Sequence, residues 1–186
     1  MSWPTRDEAF SLLREYTENE NLIKHALAVE ACMFDYAKRF GEPSEKWAVT
    51  GLLHDFDYEK YSSLEDHPFR GAEILRGKGY PEPMIHAILA HADHTYVKRE
   101  NILDKTLYAV DELTGFVVAV TLVRPSKKIR DVQVKSVRKK WKDKAFARGV
   151  DREHIERGAR DLGIALDQHI QNVLDSMKRI STELGL

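Results

Sequence analysis

Apolar residues recur every three or four positions early in the chain, which is the spacing of one face of an α-helix. The clearest stripe consists of Leu22, Ala26, Val29, Met33 and Ala37. Gly41 and Pro43 follow this stripe and end the helix, because glycine and proline are common just beyond helix C-termini. A second helix is predicted from about Ser44 to His54. The pattern therefore begins with two successive helices.

Helix signals continue through the middle of the chain. Residues 57–67 are polar and turn-like, and Pro68 then fits the first turn of a short helix. Pro81 opens the next helix. Asp104 is predicted to cap a further helix, which carries Asp111.

The run of residues 116–120 reads Phe-Val-Val-Ala-Val, and its β-branched residues also suit a strand. Because no partner strand is predicted elsewhere, we interpret this run as buried helix. Residues 151–184 supply two more helices. The sequence thus predicts an all-α fold, a compact single-domain helical bundle over residues 1–186.

Composition indicates an ordinary soluble globular domain. The chain has 186 residues, of which 42% are hydrophobic and 32% charged, and a disordered chain would contain fewer apolar residues. A single cysteine, Cys32, excludes an internal disulfide framework. We expect no signal peptide, because residues 1–8 contain no apolar segment. We expect no membrane partner, because the longest apolar run, residues 116–123, is far shorter than the roughly 20 residues of a membrane span. The expected location is the cytoplasm.

The net charge of −1 conceals a basic segment. Residues 124–148 contain eleven lysines and arginines but only two aspartates, so they carry +9 and the rest of the chain −10. A charge run of this kind is usually a solvated helix face. It could also bind a phosphorylated substrate or a nucleic acid, with Trp141 available for stacking. Arg124 and Lys127 are the first candidates for binding a substrate phosphate.

His54 and Asp55 are the first candidates for chemistry. They follow the apolar run WAVTGLL at residues 47–53, so a helix delivers an imidazole and a carboxylate at its buried end. A buried carboxylate without compensation is very unfavourable, and a cation is one of the few remedies. The same reasoning applies to Asp111, which follows LYAV at residues 107–110. A helix cap or an ion pair is the alternative explanation for both carboxylates.

Five segments, in order along the chain, resemble the HD-domain superfamily of metal-dependent phosphohydrolases, and within it the branch labelled HDIG. These segments are His25, GLLHD at residues 51–55, HPFRGAEIL at residues 67–75, ILAH at residues 88–91, and Asp111. Three positions differ from the pattern. Phe56 and Asp57 stand where the label has isoleucine and glycine, and Ala92 follows His91 where some binuclear members have a second histidine.

The resemblance implies ligands for one or two divalent transition metals. The residues that match the first metal site of the family are His25, His54, Asp55 and Asp111. In binuclear members the aspartate of the doublet also binds a second metal, together with histidines that match His67 and His91. Nitrogen and carboxylate ligands suit Fe, Mn, Ni, Co or Zn, and the sequence does not choose among these metals.

A metal-binding HD core is therefore expected at about residues 19–124, followed by a basic, helical C-terminal extension at about 125–186. Within the core, the candidates for proton transfer are Asp57, Asp93 and His94, which could instead cap helices or face water. His94 could also replace the missing second histidine. Three further histidines have no context that marks them as ligands, and these are His86, His154 and His169.

The resemblance implies hydrolysis of a nucleotide or another small phosphoester by a metal-activated hydroxide. His54 and Asp55 are the predicted catalytic residues. Two alternatives stay open: a di-iron oxygenase of the same superfamily, and a non-catalytic binding or regulatory module that keeps a metal for stability. The expected partner is a small phosphorylated substrate, and nucleic acid is the second choice. The sequence does not indicate an oligomeric state.

Overall fold

The computed structural model describes residues 2–186, and its regular elements are helices. The α-helices are α1 Arg6–Tyr16, α2 Glu20–Phe40, α3 Ser44–Leu53, α4 Phe69–Gly77, α5 Glu82–Ala90, α6 Ile102–Leu122, α7 Val134–Trp141, α8 Arg152–Asp161, α9 Leu166–Arg179 and α10 Ser181–Leu184. Two short 3-10 helices, Asp93–Thr95 and Ile129–Asp131, lie in the connections. No strand occurs within residues 2–186, so the all-α prediction is confirmed. In the same part of the chain, no helix combines the length and the hydropathy needed to cross a bilayer.

The residue that caps the N-terminus of α6 differs from the prediction. Asp104 was expected to cap this helix, but the N-cap residue is Asn101, whose side chain accepts a hydrogen bond from the Asp104 backbone N–H at 3.0 Å. The Asp104 carboxylate in turn accepts from the Asn101 N–H at 3.3 Å. The two residues form a capping box, in which the cap and the third helical residue satisfy each other's backbone donors. Either residue type suits an N-cap, so the local sequence alone was ambiguous.

Two helices of 21 residues each, α2 and α6, form the centre of the bundle. Helix α3 packs against α2, and α5 and α8 pack against α6. Gly51 permits the first contact, because a Cβ at this position would lie 3.1 Å from the Val29 backbone and 2.8 Å from Met33 Cγ. Gly158 permits close packing of α8, since a Cβ there would lie 2.6 Å from the Cα of Ala109. The two glycines thus allow α3 to pack close to α2, which carries His25, and α8 to pack close to α6, which carries Asp111.

Two buried histidines from the C-terminal helices hold α6 by its backbone. His154 Nε2 of α8 donates to the carbonyl of Tyr108 at 2.7 Å, and His169 Nε2 of α9 donates to the carbonyl of Ala109 at 2.8 Å. Burial lowers the pKa of both imidazoles, to about 4 for His169. Both rings are therefore neutral donors near pH 7. Helices α7, α8 and α9 contact α6 directly. The division of the chain into a core and an extension near residue 125 stays a prediction.

We expect Gly158→Ala to destabilise the protein, because the new methyl group would overlap the α6 backbone and push α8 away. Overpacking of this kind typically costs about 1–3 kcal/mol in the free energy of unfolding. Chemical denaturation would measure the change. Gly77→Ala is the matched control, since no atom lies within 4 Å of a Cβ at that position. Equal stabilities of the two variants would contradict the proposed close contact.

Candidate metal centre

Three candidate ligands lie at the C-terminal ends of two helices. Helix α3 ends at Leu53, and His54 and Asp55 follow it directly. Helix α5 ends at Ala90, and His91 is its C-cap residue. Both helix ends point into the core: the His54 side chain has no exposed surface, and that of His91 is only 5% exposed. The apolar runs before each histidine thus deliver the imidazoles to the interior.

The other three candidates come from α2, α6 and the turn before α4. His25 lies in the second turn of α2 and Asp111 in the middle of α6. Asp111 Oδ1 lies 3.0 Å from His25 Nε2 and 3.4 Å from His54 Nε2. His67 lies just before α4 and points to the same place, with its Nε2 3.2 Å from Asp55 Oδ1. The structure therefore brings all six predicted ligands into one cluster.

Asp55 lies at the middle of this cluster, and each of its oxygens faces a different pair of histidines. Its Oδ1 lies 3.2 Å from the Nε2 atoms of both His67 and His91. Its Oδ2 lies 3.5 Å from Nε2 of His54 and 4.0 Å from Nε2 of His25. In each of the two groups that share Asp55, potential ligand atoms lie within 4.8 Å of one another. One carboxylate could thus connect two cation sites.

Backbone carbonyls orient two of the imidazoles. His54 Nδ1 donates to the carbonyl of Gly51 at 2.8 Å, and His91 Nδ1 donates to the carbonyl of Ile88. A carbonyl oxygen only accepts, so each Nδ1 must carry the proton. In the neutral ring this leaves the Nε2 lone pair free. Histidines that bind metals are commonly held in this way through their other nitrogen.

The Asp57 carboxylate orients His67. Asp57 Oδ1 accepts from His67 Nδ1 at 2.9 Å, while its Oδ2 accepts from the backbone N–H of Gly71 at 2.8 Å. Asp57 is fully buried, and a Cβ at Gly71 would lie only 2.8 Å from its Cγ. Gly71 therefore makes room for the carboxylate. The carboxylate–histidine pair raises the basicity of the Nε2 atom that faces Asp55.

Thr114 orients His25 from the next turn of α6. Its hydroxyl donates to the carbonyl of Asp111 at 2.8 Å, so its proton is already used. The contact of 3.2 Å between Thr114 Oγ1 and His25 Nδ1 is therefore donated by the imidazole. His25 consequently directs Nε2 towards Asp111. All four histidines of the cluster share the same arrangement.

The surrounding histidines keep both central carboxylates ionised. Burial by itself would raise the pKa of Asp55, but the charge of His54 and contacts with His67 and His91 hold that pKa well below its usual range. Burial would also raise the pKa of Asp111, and its two histidine neighbours lower it far more. The cluster therefore carries two carboxylate charges at neutral pH.

The histidine pKa values move in the opposite direction. Burial lowers the pKa of His67, but the carboxylates of Asp55 and Asp57 more than reverse this effect and raise the pKa to about 10. The net shift is also upward for His54 and His91, because Asp55 outweighs the burial of both rings. Protons on the imidazoles thus neutralise the carboxylates where no other cation does so.

The donor atoms fit a divalent transition metal. His54 Nε2 and Asp55 Oδ1 are buried and have no hydrogen-bond partner within residues 2–186, since the contacts of Oδ1 with the nearby imidazoles lie at ion-pair distance without hydrogen-bond geometry. A buried polar atom without a partner is costly, and a bound cation would satisfy both atoms. Four imidazole nitrogens and two carboxylates suit Fe, Mn, Co, Ni or Zn.

The cluster opens to solvent on one side. The side chains of His25, Asp55 and Asp111 are 23%, 22% and 17% exposed, whereas that of His54 is fully buried. A substrate would therefore reach the cluster past α2 and α6, the helices that carry His25 and Asp111.

Arg124 and Lys127 do not join the cluster. Both follow the end of α6 at Leu122, which lies eleven residues beyond Asp111, or about 16 Å of helix. Arg124 Nη1 donates to Ser136 Oγ at 3.2 Å. The continuous helix thus carries these two cations away from the candidate ligands.

Of the candidates for proton transfer, only Asp57 contacts a ligand side chain. Asp93 pairs with Arg99 at 2.9 Å and with Arg157 at 2.8 Å. His94 Nε2 lies 2.8 Å from the backbone carbonyl of His67, so it supports the chain near the cluster and does not replace a second histidine. Helix α5 ends at Ala90, before both residues, so His94 does not lie one helical turn beyond His91.

Thr114 and Gly71 were missed by the sequence reasoning. Thr114 follows Asp111 by three residues and so lies on the same face of α6. This spacing could have indicated that Thr114 lies beside the candidate ligands. Gly71 stands within the HPFRGAEIL segment, but only the folded position of Asp57 shows why a side chain is excluded there.

Comparison with known families agrees with this arrangement. The sequence profile of the HD domain matches residues 22–115, a range that contains all six candidate ligands. The chain belongs to the HD domain family. This family is one of metal-dependent phosphohydrolases, so the resemblance to the HD-domain superfamily is confirmed, while the HDIG branch stays a prediction.

The chain is also similar to proteins named ribonuclease Y. It is 32% identical over 97 residues to that of Syntrophobacter fumaroxidans and 32% identical over 98 residues to that of Geobacter sulfurreducens. Each alignment covers 52% of this chain but only 18% of the relative. No solved structure matches.

We expect metal uptake to release protons, because a cation must displace those held by His54, His67 and His91. The pKa of His67, raised to about 10, means that its competing proton is bound at neutral pH. The pKa values of His54 and His91 are also raised, so their protons too are held more strongly and leave as pH rises. Metal affinity should therefore increase from pH 6 to pH 8. Titration calorimetry in buffers of different ionisation enthalpy would count the released protons. An affinity independent of pH would contradict this assignment.

We expect Asp57→Asn to weaken metal binding by about 10–100-fold, as is typical when a carboxylate behind a histidine ligand is removed. The loss should affect the group containing His67 and His91 and leave the group containing His25 intact. Metal analysis after competition with a chelator would measure it. Asp175→Asn, on the exposed face of α9, is the control. Unchanged metal affinity in Asp57→Asn would show that this carboxylate only supports the fold.

Proposed function

We propose that the chain is a metal-dependent phosphohydrolase that acts on a nucleotide or another small phosphoester. One observation supports this most strongly: Asp55 lies between two pairs of imidazoles, and every imidazole is held through Nδ1 so that Nε2 faces the centre. Ion pairing alone would not require the same orientation in all four rings. A cation site explains this shared orientation.

Under this proposal the cluster divides into two sites that share one carboxylate. The residues of the first site are His25, His54, Asp55 and Asp111, and those of the second are Asp55, His67 and His91. Divalent ions of this class polarise a phosphoryl oxygen and activate water as a nucleophile. The metal could be Fe, Mn, Ni, Co or Zn.

The proposed catalytic residues, His54 and Asp55, have different environments. His54 is sealed in the core and held by the Gly51 carbonyl, so its position is fixed. Asp55 is partly exposed and forms the floor of the open side, where a phosphoryl group would arrive. Asp57 contributes indirectly by holding His67 in place. Fixed groups in a partly dry site need little rearrangement during the reaction, which strengthens electrostatic catalysis.

The named relatives favour an RNA phosphodiester as a second candidate substrate. Their name, ribonuclease Y, describes proteins of which this chain spans only 18%. The aligned part covers about half of the chain. An RNA substrate is thus a proposal that rests on similarity, whereas the small phosphoester rests on the geometry of the site.

We expect the metal-loaded protein to hydrolyse at least one member of a panel of phosphomonoesters, nucleotides and short RNAs. His54→Ala and Asp55→Ala should each reduce kcat/KM by more than about 100-fold, since removing a ligand disturbs the site more than removing its supporting partner. His86→Ala is the control, because that histidine pairs with Asp104 outside the cluster.

The outcomes separate the alternatives. Turnover with Zn, which has no redox chemistry, would favour hydrolysis over a di-iron oxygenase. Cleavage of RNA alone would select the second candidate substrate. A protein that retains metal but turns over no member of the panel would contradict the enzymatic proposal and favour a regulatory module.

A further inference from the structure

A mostly apolar groove of about 430 Å³ begins at the open side of the cluster. Its lining residues are Asn21, Lys24 and His25 of α2, Gly115, Val118 and Leu122 of α6, and residues 184–186. His25 belongs to both the groove and the cluster, because its Nε2 lies 3.0 Å from Asp111 Oδ1. The groove is therefore continuous with the proposed catalytic centre.

One face of α6 forms the floor of the groove. Gly115, Val118 and Leu122 follow Asp111 at intervals of four, three and four residues, which keeps them in a single row along a helix. The row extends about 10 Å from Gly115 to Leu122. A molecule lying along it would have one end at the candidate metal ligands and the other at Leu122, whose side chain is 49% exposed.

Gly115 shows that this space is open where a side chain would normally lie. Glycine in a helix interior is destabilising relative to alanine, so a glycine there usually has a packing reason. Gly51, Gly71 and Gly158 have one, because a Cβ at each would lie within 3.0 Å of another atom. A Cβ at Gly115 would meet no atom within 4 Å. Its missing side chain leaves room beside the cluster instead of relieving a close contact.

The residues that line the groove indicate what kind of ligand it could bind. Val118, Leu122 and Leu184 are aliphatic, and the lining includes no phenylalanine, tyrosine or tryptophan ring for base stacking. Lys24 is the one lysine or arginine of the lining, and it forms no salt bridge within residues 2–186. Single-stranded nucleic acid usually requires aromatic platforms and several cations. An apolar group attached to one anionic centre fits these walls better.

We propose that the groove binds the apolar organic part of a phosphoester substrate, an alkyl or aryl group about 10 Å long, while its phosphate lies at the cluster. Lys24 adds one positive charge to the lining, which favours an anionic ligand. This inference rests on the proposed function and narrows it to esters of apolar alcohols.

The test uses n-alkylphosphonates from methyl to decyl as non-hydrolysable probes of the metal-loaded protein. Their Kd values, measured by titration calorimetry, should fall about fourfold for each added methylene, the usual gain on burying one such group. The gain should stop once the chain is as long as the groove. Methylphosphonate, which has almost no apolar part, reports binding at the cluster alone.

Gly115→Leu would fill the groove without altering any candidate ligand. It should remove the dependence on chain length, keep the metal content and the affinity for methylphosphonate, and raise the melting temperature, because leucine favours a helix. A lower affinity in a more stable protein cannot result from misfolding. Gly77→Leu is the control, since it also adds a side chain where a Cβ meets no atom within 4 Å.

The experiment distinguishes a failure of the proposed function from a failure of the groove assignment. If methylphosphonate did not bind to the metal-loaded protein, the proposed function itself would be wrong. If methylphosphonate bound but longer chains bound no better, or if Gly115→Leu left the dependence on chain length intact, only the groove assignment would be overturned. Tighter binding of a nucleoside monophosphate than of every alkylphosphonate, unaffected by Gly115→Leu, would also overturn it.

Discussion

The buried carboxylate of Asp55 is the constraint around which the rest of this structure is arranged. A carboxylate transferred from water to a protein interior is highly unfavourable unless positive charge compensates it. Four imidazoles from α2, the end of α3, the turn before α4 and the end of α5 surround this one side chain. The packing of these helices and the position of the charge therefore depend on each other.

A second layer of residues keeps those imidazoles in place. Backbone carbonyls one turn earlier hold the histidines at the two helix ends, while Asp57 and Thr114 hold the other two. Behind α6, His154 and His169 bind successive carbonyls just before Asp111. The C-terminal helices thus contribute to the shape of the cluster although they provide none of its six members.

The sequence predicted those features that depend on local pattern. His54, Asp55 and Asp111 were found because each follows an apolar run, and the other three candidate ligands because the order of the segments is typical of a known family. Features that depend on three-dimensional placement were not found. His154 and His169 contact carbonyls 46 and 60 residues away, so no local signal marks them as supports. Arg124 and Lys127 were assigned by nearness in sequence to a buried helix, whose length in fact separates them from the cluster.

The spread of the six candidate ligands along the chain also has a mechanical consequence. A cation bound among them would join segments around residues 25, 54, 67, 91 and 111, and so close several large loops at once. Cross-links of this kind restrict the unfolded chain, and the entropy of loop closure increases only slowly with loop length. A ligand present at 100 times its Kd adds about 2.7 kcal/mol to the stability of the folded state. The ion would thus be a reversible cross-link within the bundle, and the concentration of free metal would set the free energy of unfolding.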